Sequence, residues 1–203
     1  AGGVTSGDGV SYLRGFRDGS GSAVWSSTDG ITWRALAVPP AGGPMVAVPG
    51  GLLLASNELM DYCDPVVDGP PSSVPVDTTP PIQRQWECNA TRDLYRYDAT
   101  ADAWQSEPPI PAETPSYASL ARLGNTVIAA LTESAPDKAL KVWSTSVDEL
   151  DWHTVASTRL VYTSNHDGSP GTALIAANND RIVVITDQQY IDGETAVIVG
   201  ITP

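Results

Sequence analysis

Hydrophobic residues occur along this chain in short runs, separated by clusters of Gly, Asp, Asn and Ser. Some runs alternate with polar residues, as in Asp93 to Asp98, and others are continuous, as in Leu52 to Ala55. Alternation is typical of a strand with one buried face, and a short continuous apolar run is typical of a strand buried on both faces. No window shows a sustained helical period. The pattern therefore predicts an all-β protein of short antiparallel strands joined by turns.

The stretch Ser26-Ser27-Thr28-Asp29-Gly30-Ile31-Thr32-Trp33 predicts a tight β-hairpin. Asp29-Gly30 is the strongest kind of two-residue hairpin signal, with an apolar run before it and the strand from Ile31 to Leu36 after it. We expect Asp29 to accept backbone N–H bonds within the turn and Gly30 to take positive φ. Trp33 is then expected to lie over the hairpin as a large apolar lid.

This stretch resembles the Asp-box, or bacterial neuraminidase repeat, whose pattern is Ser/Thr-x-Asp-x-Gly-x-Thr-Trp. The matching residues are Ser26, Asp29, Gly30, Thr32 and Trp33. Asp and Gly are adjacent here, a shortened form that is also met in photosystem-assembly-type propellers. The resemblance implies one blade of a β-propeller, in which these residues are structural.

Three tryptophans mark a repeat along the chain. If Trp33 marks the last strand of a blade, Trp104 and Trp152 mark the same place further on, and the second interval of 48 residues is a usual blade length. The first interval is 71 residues, but removing the insertion between Cys63 and Cys88 brings it close to the second. The spacing predicts a single β-propeller domain over residues 1–203, with about four blades of four antiparallel strands each, at approximately 1–38, 44–107, 117–156 and 159–203.

The second blade carries another resemblance. Leu94-Tyr95-Arg96-Tyr97-Asp98 followed by Trp104 resembles the second half of a kelch repeat, and Gly50-Gly51 resembles its double-glycine half. Kelch repeats are also propeller blades, so this resemblance implies the same kelch-like architecture.

The fourth unit shows only three strand-like runs, from Thr172 to Ala176, from Ile182 to Thr186 and from Ala196 to Ile201. An unpaired edge at the end of an open array is an aggregation hazard. Three arrangements would repair it: the unit borrows a strand from Arg159 to Thr163, the ring closes with a second chain, or this chain is part of a longer protein with an incomplete ring here.

Charge narrows the range of partners. The 203 residues include 11 Lys plus Arg against 24 Asp plus Glu, which gives a net charge of −13. Such a field repels phosphate backbones and anionic lipid surfaces, so we expect no nucleic-acid partner. No apolar run approaches the roughly 20 residues that a membrane-spanning helix requires.

Cys63 and Cys88 flank the most proline-rich part of the chain. An even cysteine count around such a segment predicts a disulfide, with two thiols or a metal pair as the alternatives. A disulfide implies an oxidising compartment, so we expect a secreted, extracellular or cell-envelope protein. The high Arg, Ala, Gly and Pro content is typical of GC-rich bacterial genomes, and Ala1 is expected to be a processed or trimmed start.

The tethered loop over residues 61–90 is the main binding candidate, because long loops without regular structure are often functional. Its candidate contact residues are Tyr62, Asp64, Arg84 and Trp86, with the two aromatic side chains as anchors. A surface decoration of the propeller is the alternative. A second polar loop contributes the candidates His166 and Asp167.

Signals for catalysis or metal binding are weak. A sialidase needs three arginines, a Tyr/Glu nucleophile pair and an acid Asp, and the residues of this chain do not align with those motifs. Asp18-Gly19-Ser20 and Asn178-Asn179-Asp180 place oxygen ligands of the kind that Ca²⁺ prefers, but neither matches a full EF-hand loop, and Asx-turn capping is the favoured explanation of both stretches. The sequence therefore predicts no cofactor.

These observations predict an extracellular propeller that acts as a binding or assembly module for a protein or glycan. Two alternatives stay open at this point: a sialidase-like extracellular glycoside hydrolase with unplaced carboxylates, and a structural subunit that completes a propeller with another chain.

Overall fold

The structure is a computed structural model that describes residues 3–17, 21–56, 64–65, 86–87, 92–111, 118–132, 139–159, 173–177, 182–186 and 196–199. Within these ranges the chain forms strands and turns, with no helix. The described residues accordingly contain no helix that is long and apolar enough to cross a bilayer.

The strands of the described residues follow one another along the chain. In order, they are β1 Gly3–Gly7, β2 Val10–Arg17, β3 Gly21–Ser27, β4 Arg34–Ala35, β5 Met45–Val48, β6 Gly51–Ala55, β7 Asp64–Pro65, β8 Trp86–Glu87, β9 Arg92–Asp98, β10 Ala103–Ile110, β11 Ala118–Leu123, β12 Thr126–Thr132, β13 Ala139–Ser146, β14 His153–Arg159, β15 Ala173–Ala177, β16 Ile182–Thr186 and β17 Ala196–Val199.

These strands build four larger antiparallel sheets and a separate two-stranded ladder of β7 and β8. Sheet 1 has the order β1-β2-β3-β4, sheet 2 has β10-β9-β6-β5, sheet 3 has β11-β12-β13-β14, and the described part of sheet 4 has β15-β16-β17. In each sheet the strand that comes first in the chain lies at one edge. These first strands pack side by side, β1 with β5, β5 with β11, and β11 with β15. The sheets therefore radiate from a common axis, which is the architecture of a β-propeller.

The sheets are held together by apolar residues that alternate between two faces. Leu52 and Leu54 of β6 are fully buried against sheet 1, and Leu53 and Ala55 are fully buried against sheet 3. Because successive side chains of a strand point to opposite faces, a central blade needs a continuous apolar run. A third cluster joins sheet 3 to sheet 4 through residues such as Ile128, Val142 and Val184.

The three marker tryptophans occupy matching places. Trp33 precedes β4, Trp152 precedes β14, and Trp104 is the second residue of β10, so each stands at the start of the fourth strand of its sheet. Trp104 and Trp152 pack against the cores between sheets, whereas Trp33 is 37% exposed and is in none of the described core clusters.

The loop around Asp29 differs from the expected tight hairpin. Ser26 pairs with Arg34 and Trp25 with Ala35, so the loop spans residues 28–33 rather than two residues, and the returning strand is only Arg34–Ala35. The prediction of a two-residue turn was wrong because the Asp29 carboxylate itself organises a wider loop. Its Oδ1 accepts hydrogen bonds from the N–H groups of Ile31 and Thr32 at 2.8 and 2.7 Å.

Ser27 completes this loop, rather than Ser26. The Ser27 hydroxyl donates to Asp29 Oδ1 at 2.9 Å and accepts from the N–H of Gly30 at the same distance. Gly30 has a φ of 71°, in the region that glycine tolerates. The bonds from Thr32, Ile31 and Ser27 hold the pKa of the Asp29 carboxyl well below its usual range.

The root of the 61–90 loop is a small antiparallel ladder. In β7 and β8, Asp64 pairs with Glu87 and Pro65 with Trp86. Cys63 and Cys88 lie outside the described residues, so their disulfide stays a prediction.

Sheet 4 has three strands among the described residues, as the sequence predicts. Arg159 is the last residue of β14 in sheet 3 and pairs with Ala139, so it is not part of a strand lent to sheet 4. The rest of the proposed lent segment, residues 160–163, lies outside the described ranges.

Candidate functional site

The four inner strands surround a cavity of about 410 Å³ at the propeller axis. Its lining comes from every sheet: residues 4–6 of β1, 45–47 of β5, 120–122 of β11 with Gly124, and 175–176 of β15. The volume lies within the range of roughly 300 to 1,000 Å³ that is typical of small-molecule sites. We therefore take this central cavity as the candidate functional site.

Backbone N–H and C=O groups of the inner strands make the wall of the cavity polar even where its side chains are apolar. Each inner strand is an edge strand, with a neighbour in its own sheet on one side only. An edge strand presents a row of N–H and C=O groups that its sheet does not pair. Two of these groups bind side chains of neighbouring sheets, since the Ala47 N–H donates to Thr5 Oγ1 at 3.2 Å and the Ala47 carbonyl accepts from Arg122.

Arg122 contributes a cation to the lining. Its Nε donates to the carbonyl of Gly124 at 2.6 Å, and its Nη1 donates to the carbonyl of Ala47 at 3.3 Å. The Asp8 carboxylate lies 4.0 Å from Nη1, and the side chains of Arg122 and Asp8 are 22% and 56% exposed, respectively. The guanidinium thus spans three sheets, with one side held by carbonyls and part of its surface open.

A smaller cavity of about 180 Å³ adjoins the first. The two share Val4, Met45, Leu120 and Ile175, and the smaller one continues to Gly3, Pro44 and Ser119 at the beginnings of the inner strands. Arg14 also lines it, and burial lowers the pKa of this guanidinium. Because they share these four residues, we take the two cavities as successive parts of one axial channel.

None of the residues that the sequence predicts as a binding site is among the described lining residues of the two cavities. Asp64 and Trp86 lie in β7 and β8, where their backbones belong to the ladder at the root of the loop. Tyr62, Arg84, His166 and Asp167 lie outside the described residues, as do both Ca²⁺ candidates, Asp18-Gly19-Ser20 and Asn178-Asn179-Asp180. The described ranges contain no group of three or more His, Cys, Asp or Glu side chains that would hold a metal ion.

Sequence reasoning missed Thr5, Ser6 and Arg122. Each lies on the first strand of its blade, and the first strand of a propeller blade faces the axis. Polar residues on the first strand of each predicted blade were therefore the available signal.

No protein-family model matches this chain, and a comparison with curated proteins finds no match. Among solved structures, the chain is similar to YjhT, with a TM-score of 0.48 and 10% identity over 90% of this chain and 55% of YjhT. It is also similar to the GH43 endo-arabinanase from Bacillus licheniformis, with a TM-score of 0.32 and 10% identity over 97% of this chain and 92% of the arabinanase.

A further similar structure is 1,3Gal43A, an exo-β-1,3-galactanase from Clostridium thermocellum, with a TM-score of 0.31 and 12% identity over 91% of this chain and 54% of the galactanase. The chain spans about half the length of YjhT and of this galactanase.

Proposed function

We propose that this chain is an extracellular propeller module that binds a glycan in its central cavity. The observation that carries the proposal is the convergence of four strand edges, two hydroxyl side chains and one guanidinium on a single cavity. Sugars carry many hydroxyl groups, each of which donates and accepts hydrogen bonds. A wall of backbone N–H and C=O groups with Thr5 and Ser6 offers both kinds of partner.

The apolar part of the lining fits the same ligand class. Val4, Met45, Leu120 and Ile175 line the part of the channel that both cavities share. Small-molecule sites typically combine apolar walls with a few polar groups that fix the orientation of the ligand. The Asp29 loop, which we propose to be a structural Asp-box of the first blade, lies outside this lining and serves the fold.

Hydrolysis of the glycan is the alternative chemistry. It requires a pair of carboxyl groups on either side of the scissile bond. The described lining of the cavity contains hydroxyls and a guanidinium but no carboxyl group, which favours binding as the proposal.

Glycan binding is tested by titrating the protein with monosaccharides and short oligosaccharides while recording amide chemical shifts. We expect shifts at residues 4–6, 45–47 and 120–122. Ala176→Trp should block binding, because Ala176 is an exposed residue of the lining, and Ala101→Trp, in the exposed turn before β10, should leave it intact. Absence of binding, or equal effects of the two variants, would contradict the proposal. Turnover of aryl-glycosides would favour the hydrolase instead.

A second candidate function, assembly with another chain, is favoured by one face of sheet 1. Tyr12, Val24 and Leu36 of sheet 1 are buried against sheet 2, whereas Val4 lies on the opposite face and is 71% exposed. Leu13 pairs with Val4 and with Trp25, so a partly buried apolar row crosses this face. The described core clusters join sheets 1 and 2, 2 and 3, and 3 and 4, and none joins sheet 4 to sheet 1. We propose that a second copy of the chain covers this face.

The oligomeric state tests this assembly. Light scattering should give twice the mass of one chain for the wild type and the mass of one chain for Val4→Asp, because a buried unpaired carboxylate is costly. Val38→Asp is the matched control, since Val38 is the same residue type and is 70% exposed outside this face. A monomeric wild type, or equal masses for the two variants, would contradict the assembly.

A further inference from the structure

The described lining of the central cavity has one charged side chain, Arg122, in a protein whose net charge is −13. Its Nη2 makes no hydrogen bond to a described residue, while Nε and Nη1 are held by the carbonyls of Gly124 and Ala47. A guanidinium has five N–H donors, so one that uses only some of them within the protein retains donors for a ligand. Its natural partner is a carboxylate, which it binds through short, charge-assisted hydrogen bonds.

We propose that the ligand of the central cavity is a sugar with a carboxylate, a uronic acid, and that the carboxylate binds Arg122. This inference rests on the proposed glycan-binding function and specifies its ligand class. Thr5, Ser6 and the edges of the inner strands then bind the ring hydroxyls, and Arg122 binds the acidic end of the sugar.

The hydrogen bonds to two carbonyl oxygens preorganise the Arg122 side chain for binding a carboxylate. An arginine loses considerable rotamer freedom when it is immobilised by a ligand. In this structure the immobilisation has already taken place, because Nε is bonded to Gly124 at 2.6 Å and Nη1 to Ala47 at 3.3 Å. A preorganised group contributes more of its interaction energy to affinity.

Asp8 limits the kind of anion that binds. Its carboxylate lies 4.0 Å from Arg122 Nη1 and competes with the ligand for the same cation. The acidic protein as a whole also repels chains with many negative charges. The site is therefore suited to a single uronic acid residue, either free or at the end of a glycan, and not to a run of them.

Calorimetric titration of the wild-type chain separates charge recognition from sugar recognition. The probes are D-glucuronate and D-galacturonate, with D-glucose and D-galactose as their neutral counterparts. We expect at least about tenfold tighter binding of the uronates, since a hydrogen bond to a charged group is worth roughly 1.5 to 3 kcal/mol. Uronate affinity should fall as NaCl is added, because salt screens the charge, and the neutral sugars should be insensitive to it.

Two variants are expected to change the affinity for uronates in opposite directions. Arg122→Gln should weaken uronate binding roughly 10- to 100-fold. Asp8→Asn should strengthen it roughly two- to fivefold, because it removes the competing carboxylate of a partly exposed pair. Asp8 has a φ of 52°, a conformation that asparagine also adopts readily, so the turn is preserved. Arg34→Gln is the charge-matched control, since Arg34 pairs with Asp102 away from the cavity and should not affect binding.

The possible results separate failure of the uronic acid proposal from failure of the glycan-binding proposal. Uronates and neutral sugars that bind equally, with no effect of salt or of Asp8→Asn, would overturn the role of Arg122 and leave the glycan-binding function standing. If none of the four sugars binds the folded protein, both proposals fail. If Arg122→Gln does not fold, two other measurements still test the role of Arg122. They are the increase in uronate affinity expected for Asp8→Asn and the salt dependence of uronate binding by the wild type.

Discussion

Replacing Gly51 by alanine is expected to destabilise the protein by at least about 3 kcal/mol, or to prevent folding. Gly51 begins β6, where the hairpin of β5 and β6 meets β9. A Cβ at this position would lie 1.8 Å from the carbonyl oxygen of Tyr97 and 2.9 Å from its carbonyl carbon. The obstacle is backbone in the middle of sheet 2, so no side-chain rotation relieves it.

The surroundings make this clash costly. Strand β6 is buried on both faces, with Leu52, Leu53 and Leu54 directly after Gly51 at 0% exposure. Interiors of this kind are close-packed and transmit strain to their neighbours. Moving β6 away from β9 would break their ladder and displace β5, which lines the central cavity. We therefore expect the loss of stability to be accompanied by loss of the site.

Chemical denaturation measures this effect, and Gly3→Ala is the matched control. Gly3 is also a strand glycine, but a Cβ there would meet no atom within 4 Å. We expect Gly3→Ala to change the free energy of unfolding by no more than about 0.5 kcal/mol. The packing argument would be refuted if both variants unfolded at the same urea concentration.

Much of the fold could be predicted from the sequence because it depends on local periodicity. The continuous apolar run at Leu52 to Ala55 requires a strand buried on both faces, and its four side chains alternate between the cores on either side of sheet 2. The tryptophans at 33, 104 and 152 lie within one residue of the start of the fourth strand in successive sheets. Such features report burial and repeat length, which neighbours in sequence determine.

The length of the loop at Asp29 could not be predicted from turn propensity. Asp-Gly favours a two-residue turn by propensity, but one carboxylate oxygen here binds two successive N–H groups and the hydroxyl of Ser27. These three bonds stabilise a loop over residues 28–33 instead. Turn propensity describes the backbone of the turn residues, whereas this loop is set by a side chain and its partners.

The candidate site could not be predicted, because it exists only once four sheets surround an axis. Arg122 is an ordinary alternating strand residue in sequence, and its partners are carbonyls of Gly124 and of Ala47 in another sheet. Nothing in the spacing of Thr5, Ala47 and Arg122 indicates that they meet. The unusual composition of the 61–90 loop indicated a binding site there instead. The described part of that loop is a two-stranded ladder.

Raising the pH through the titration of Tyr97 is expected to destabilise the protein by about 2 kcal/mol. Tyr97 is 1% exposed, packs against Trp104 with ring centroids 5.2 Å apart, and donates its hydroxyl proton to Asp102 Oδ1 at 2.5 Å. Burial, followed by the hydrogen bond to Asp102 and its negative charge, raises the pKa of Tyr97 from 10.0 to about 12.

The sign of the effect follows from the raised pKa. The folded state favours the neutral phenol, so the contribution of Tyr97 to stability is fully present below pH 10.0 and is lost as the pH rises towards about 12. The same hydroxyl connects sheets 1 and 2, because Asp102 Oδ1 also accepts from the N–H of Ala37, and Arg34 lies 3.4 Å from both Tyr97 and Asp102. Ionised Tyr97 would place a second negative charge beside Asp102 in this contact.

Denaturation at a series of pH values, compared between the wild type and Tyr97→Phe, tests this prediction. Near neutral pH the variant should lose about 1 kcal/mol for the missing hydrogen bond. Above pH 10.0 its stability should fall less steeply than that of the wild type, because it has no phenol to ionise at this position. Tyr95→Phe, on the same strand, controls for the loss of a hydroxyl from β9. Parallel curves for wild type and Tyr97→Phe between pH 10.0 and about 12 would show that Tyr97 does not couple ionisation to the contact between sheets 1 and 2.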